Sequence, residues 1–111
     1  MQPILVASDG SPSANRAIDA AAKLAKVTGS ELIILTIGGN ISGAALQELA
    51  SAEGDLSAAL ETAANEILDR ARKRVLRTGV SAVKVQSGWG DPAEVIIDTV
   101  RRENPDLLVG G

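Results

Sequence analysis

The sequence predicts an α/β fold, an open parallel sheet with helices on both faces, and two observations carry that expectation. Short, continuously apolar runs alternate with longer stretches at helical spacing, giving the order β-α-β-α-β-α-β. The runs Ile4-Leu5-Val6-Ala7-Ser8 and Leu32-Ile33-Ile34-Leu35 also lack the polar alternation of half-solvated strands, as strands covered on both faces require. With 111 residues the chain is read as a single domain, 1–111.

The first strand, Ile4 to Ser8, ends at Asp9-Gly10. Ser13 is the expected N-cap of the first helix, with Pro12 holding the approach. Ile18, Ala21, Ala22 and Ala25 recur on one side of that helix, while Arg16, Asp19, Lys23 and Lys26 fall mainly on the other. Gly29 ends it, and Glu31 to Ile37 forms a second strand. After Gly38-Gly39-Asn40 a helical stretch runs from about Ala44 to Thr78, interrupted at Gly54-Asp55. Its apolar stripe is Leu56, Leu60, Ala63, Ile67, Ala71 and Val75. The charges Glu66, Arg70, Arg72, Lys73, Arg74 and Arg77 read as a solvated face that suits a helix C-terminus.

Ser81 to Ser87 does alternate, so it is expected at a sheet edge. Gly88-Trp89-Gly90-Asp91-Pro92 makes a turn in which Asp91 caps the next helix and Pro92 takes its first position. Trp89 is expected to cover neighbouring apolar surface, two strands from the ligand crevice. Ala93, Ile96, Ile97 and Val100 form the third helix's stripe, which ends near Asn104-Pro105. Leu107-Leu108-Val109 is the fourth strand.

Composition excludes several function classes. Trp89 is the only aromatic residue and the formal net charge is −3, so neither a base-stacking platform nor a phosphate-backbone footprint is present. Without Cys or His there are no thiol nucleophiles, disulfides or histidine bases, and most transition-metal sites are excluded. No apolar segment approaches a membrane span, and Met1-Gln2-Pro3 lacks a basic signal region. The Asn40-Ile41-Ser42 sequon therefore has little weight. A soluble cytoplasmic protein with no nucleic-acid or membrane partner is the expectation.

In open α/β sheets ligands bind outside the carboxyl ends of the strands. Asp9 stands at such an end, where the N–H groups of the following helix also point. An exposed carboxylate there can accept bonds from ribose hydroxyls or hold a hydrated Mg²⁺. Asp-Gly is equally a common turn, in which Asp9 serves its own backbone. A Walker A string and a G-x-G-x-x-G fingerprint are both absent. A phosphoacceptor receiver would need an Asp after the third strand, and Gln86-Ser87-Gly88 stands there.

Three segments together resemble the universal stress protein family, over the whole chain. Ile4-Leu5-Val6-Ala7-Ser8-Asp9-Gly10-Ser11 is similar to its opening strand. Gly90-Asp91-Pro92-Ala93-Glu94-Val95-Ile96 resembles its Gly-x-Pro-x-x-x-Ile turn, and Asp106-Leu107-Leu108-Val109-Gly110-Gly111 its Asp-Leu-Ile-Val-x-Gly strand. The resemblance implies a sheet in the order 3-2-1-4-5 and, in some members, ATP between strands one and four.

Transferred by position, Ala7 lies beside the base, Ile37 offers its backbone to adenine, and Asp9 approaches the ribose. Gly111 matches the first Gly of the family's phosphate motif. The binding residues implied are Ala7, Ser8, Asp9, Ile37, Gly110 and Gly111, with Asp9 also the candidate ligand for an accompanying Mg²⁺. The expected function is an adenine-nucleotide-responsive stress module, homodimeric when intact, with at most slow ATP hydrolysis. Alternatives are a stress protein acting only through protein contacts, or an ATP-using enzyme of the related adenine-nucleotide hydrolase group. Ser8-Asp9-Gly10-Ser11 departs from that group's Ser-Gly-Gly-x-Asp-Ser loop. The fourth helix, fifth strand and remaining phosphate motif are expected beyond Gly111. That would leave Leu107 to Val109 as an apolar edge and the chain marginally stable or self-associating.

Overall fold

The computed structural model describes residues 2–38 and 56–110. Its elements are β1 (Ile4–Ala7), α1 (Pro12–Thr28), β2 (Leu32–Ile37), α2 (Leu56–Leu76), β3 (Val83–Gly88), α3 (Pro92–Glu103) and β4 (Leu107–Val109). The expected helical turns from Ala44 to Asp55, the sequon and Gly111 lie outside the described residues.

The four strands form one parallel sheet in the order β3-β2-β1-β4. Ile4 aligns with Leu32 and Leu107, and Val6 with Ile34 and Val109. Right-handed crossovers then dictate the layers. The steps from β1 to β2 to β3 run one way, which puts α1 and α2 on one face. The return from β3 to β4 runs the other way, which puts α3 on the opposite face.

Two apolar clusters fill those layers. Ile4, Val6, Leu32 and Ile34 pack with Ile18, Ala21 and Ala25 of α1 and with Leu68, Ala71 and Val75 of α2. Leu5, Ile33, Leu35 and Ile37 point the other way, against Val95, Ile96 and Val100 of α3. The period-two alternation of each strand thus supplies both cores. β3 is the predicted edge, and Leu107 and Leu108 of β4 are about half-exposed at the other.

Two helices depart from the sequence reading, one at its cap and one in its buried face. Ser11, not Ser13, caps α1: its Oγ accepts from Ala14 N at 3.1 Å. Pro12 is then the first helical residue, where its missing N–H costs nothing. In α3 the buried face is turned from the predicted stripe. Ile97 is 48% exposed, while Thr99 is buried because its Oγ1 donates to Val95 O at 2.7 Å. Asp91 and Pro92 open α3 as expected, with Glu94 N donating to Asp91 Oδ2 at 3.1 Å.

Surface charges add links between elements. Arg74 makes a bidentate pair with Asp19 at 2.6 and 2.7 Å, which ties α2 to α1. That hydrogen bonding lowers the Asp19 carboxyl below its ordinary range. Glu103 accepts from Lys84 at 2.9 Å and Gln86 at 2.7 Å and so fastens α3 to the edge strand. Such pairs at the surface are screened by solvent and add little to stability.

Thr36 is an exception inside the core. Its Oγ1 is fully buried and has no hydrogen-bond partner among the described residues. Thr36→Val replaces that hydroxyl with a methyl of the same shape, and an unpaired buried hydroxyl costs roughly 1–3 kcal/mol. The variant is expected to gain about 1 kcal/mol and to melt about 4 °C higher. Scanning calorimetry checks this, and an unchanged or lower melting point would contradict it.

Candidate functional site

The topology creates a crevice where β1 and β4 meet. From β1 the chain turns into α1 on one face, whereas β4 arrives from α3 on the other. The carboxyl ends of these strands are therefore not bridged by a common crossover, which is where open α/β sheets hold ligands.

Ala7, Ser8, Asp9, Ile37 and Gly110 all line this crevice, whose volume is about 220 Å³. The sixth expected residue, Gly111, is not among those described. Sequence reasoning missed three other walls. Leu35 lines the crevice because it shares a sheet face with Ile37, two residues on. Ile96 does so from α3; the sequence showed it as part of that helix's apolar stripe and as the last residue of the Gly-x-Pro-x-x-x-Ile turn, not as a crevice wall. Ala14 lines it from the first turn of α1, where its N–H donates to the Ser11 cap.

The turn after β1 sets the chemistry. Ser11 N donates to Asp9 Oδ1 at 2.9 Å, and Gly10 N donates to Ser8 Oγ at 3.2 Å. Gly10 has φ of 82°, a left-handed conformation that other residues adopt only under strain. Asp9 thus fills the turn role with one oxygen. Its Oδ2 has no partner among the described residues. Asp9 is also the only ionisable side chain among the described residues lining the crevice. One carboxylate on an apolar wall can accept from hydroxyls or from a hydrated cation. It lacks the partner that acid–base or nucleophilic catalysis uses.

Trp89 comes closer to this site than the sheet order suggested. Its strand is the edge, yet its half-exposed indole lies directly on Gly38, the residue after Ile37. A Cβ at Gly38 would collide with the ring. Gly38→Ala is therefore expected to displace Trp89, at about 1–3 kcal/mol of stability, the usual cost of overpacking. Emission from Trp89, the single tryptophan, should shift to the red. Unchanged emission together with unchanged stability would show that the ring does not need this contact.

Comparison with known proteins agrees with the geometry. The sequence model of the universal stress protein family matches residues 1–111. The structure of Rv1636 from Mycobacterium tuberculosis H37Rv superposes with a TM-score of 0.72 at 28% identity, covering 99% of this chain and 70% of that one. Universal stress protein UspA from Lactobacillus plantarum gives a TM-score of 0.74 at 27% identity, covering 99% and 76%. A universal stress protein in complex with cAMP gives a TM-score of 0.72 at 25% identity, covering 97% and 74%.

Proposed function

Since the chain belongs to the universal stress protein family, we propose that it is a stress-response module that binds an adenine nucleotide in the crevice between β1 and β4. The observation that carries this reading is the crevice itself. It joins an apolar wall from Ala7, Leu35, Ile37 and Ile96 to the free oxygen of Asp9 and to the open backbone of Gly110. The wall suits the flat, apolar faces of adenine. The free oxygen of Asp9 suits a ribose hydroxyl. A similar protein in complex with cAMP supports an adenine nucleotide as the ligand class.

Size refines the placement. Pockets for whole drug-sized ligands run from about 300 to 1,000 Å³. At about 220 Å³ this crevice takes base and ribose, with the phosphates outside its described walls. ATP is the proposed physiological ligand; were Mg²⁺ to accompany it, Asp9 would be the residue to hold the hydrated ion, since Mg²⁺ commonly takes one or two carboxylates and keeps several waters. Among the described residues lining the crevice, nothing beside Asp9 resembles a general base, so the reading is of a binding module. Hydrolysis, where it occurs, would be slow and driven by positioning. A cytoplasmic homodimer is the proposed setting.

The alternative of a protein-contact module without nucleotide is separated by titration. Isothermal calorimetry with ATP and with cAMP should give saturable binding at one site per chain, which either ligand blocks for the other. Absence of heat and of competition for both ligands would favour the protein-contact reading.

A further inference from the structure

On the other side of β1, the face covered by α1 and α2, lies a second concavity of about 270 Å³. Ser8 and Gly10 line it from the β1–α1 turn, Asn15 from the start of α1, Arg70 and Arg74 from α2, and Arg77 from the turn that follows α2. The three arginines fall at i, i+4 and i+7, and Arg77 N still donates to Lys73 O at 3.1 Å, so they form one stripe along the helix and the turn that ends it. Their backbone positions span about 10 Å of the axis. This stripe had read as an ordinary solvated face.

The pairing within the groove is incomplete. Arg70 meets Glu66 at 2.8 Å, and Arg74 meets Asp19. Arg77 has no side-chain partner among the described residues. Glu66 and Asp19 are 41% and 48% exposed, and pairs this exposed are weak enough to exchange partners with a stronger anion. Guanidinium groups bind phosphate oxygens in bidentate fashion. Asp9, which would repel an anion, is not among the groove's lining residues.

We infer that the groove between α1 and α2 is a binding site for a small polyanion carrying several phosphoryl groups, separate from the nucleotide crevice. Arg77 supplies the unneutralised charge, and Arg70 and Arg74 extend the contact along the helix. A volume of about 270 Å³ admits a short phosphate chain, not a folded partner. The formal net charge of the chain is −3, so its overall field does not draw anions in and the site depends on this local cluster. Ser8 lines both cavities, which gives them a common wall.

Calorimetric titration with inorganic tripolyphosphate tests the assignment. The natural sequence should bind it, and a double variant, Arg70→Gln with Arg77→Gln, should lose at least ten-fold in affinity. Asp9→Ala should retain tripolyphosphate binding, and the double variant should retain cAMP binding. Circular dichroism melts confirm that both proteins fold; Arg70 and Arg77 are both exposed, on α2 and in the turn after it. No binding to the natural sequence, full binding to the double variant, or an equal loss in Asp9→Ala would each overturn the site. Failure of the crevice reading shows separately, as loss of cAMP binding in every protein while tripolyphosphate still binds.

Discussion

Asp9→Ala is expected to weaken adenine-nucleotide binding by about 1–3 kcal/mol, or roughly 5- to 150-fold. The magnitude is that of a hydrogen bond to a charged group, and the geometry explains why one residue matters this much. Asp9 Oδ1 accepts from Ser11 N, which fixes the side chain before any ligand arrives. Little further rotamer entropy is lost when the free Oδ2 meets a hydroxyl. Alanine removes both the acceptor and the turn that aims it. Asp9→Asn keeps an acceptor for Ser11 N but loses the charge, so its affinity should fall between the two. Calorimetry on all three proteins measures the series, and equal affinities would remove Asp9 from the site.

Leu5→Ala carries the largest expected loss of stability, about 2–5 kcal/mol. Leu5 is fully buried in the central part of the sheet, in one cluster with Ile33 and Leu35 and in company with Val95, Ile96 and Val100 of α3. Neighbouring strands are fixed in register on both sides, so the cavity cannot close by backbone shift. Domains of this size are stable by only about 5–15 kcal/mol, so a loss of this size is a substantial share of the total. Denaturant melts followed by circular dichroism should show an earlier midpoint with an unchanged slope. A loss below about 1 kcal/mol would mean that the α3 layer is not packed as described.

The sheet was legible because continuous apolar runs this short, bounded by Gly and Pro, suit strands covered on both faces, and because Gly29, Asp91 and Asn104 mark helix ends. Its order followed from the family resemblance rather than from periodicity, which is silent on which strands are neighbours. The α3 face was misread because hydrophobicity alone was counted. Thr99 can be buried only because its hydroxyl bonds back to Val95 O, and a pattern of apolar letters does not register that bond.

The crevice was legible in part for a related reason. Ala7, Asp9 and Gly110 sit at strand ends, where topology dictates a ligand position, whereas Ile96 and Ala14 reach it from helices whose rotation depends on packing. Trp89 bridges from the edge strand to Gly38 because glycine leaves room for the indole, a contact between residues distant in sequence. The arginine stripe was visible as spacing. The groove it lines required the position of α1.

The central claim, that an adenine nucleotide sits between β1 and β4, is tested most directly by following backbone amide resonances through a titration with ATP. Shifts concentrated at Ala7 to Gly10, Ile37, Gly38 and Gly110 are the expected result. Shifts confined to Arg70 through Arg77, or a spectrum unmoved at saturating ATP, would contradict it.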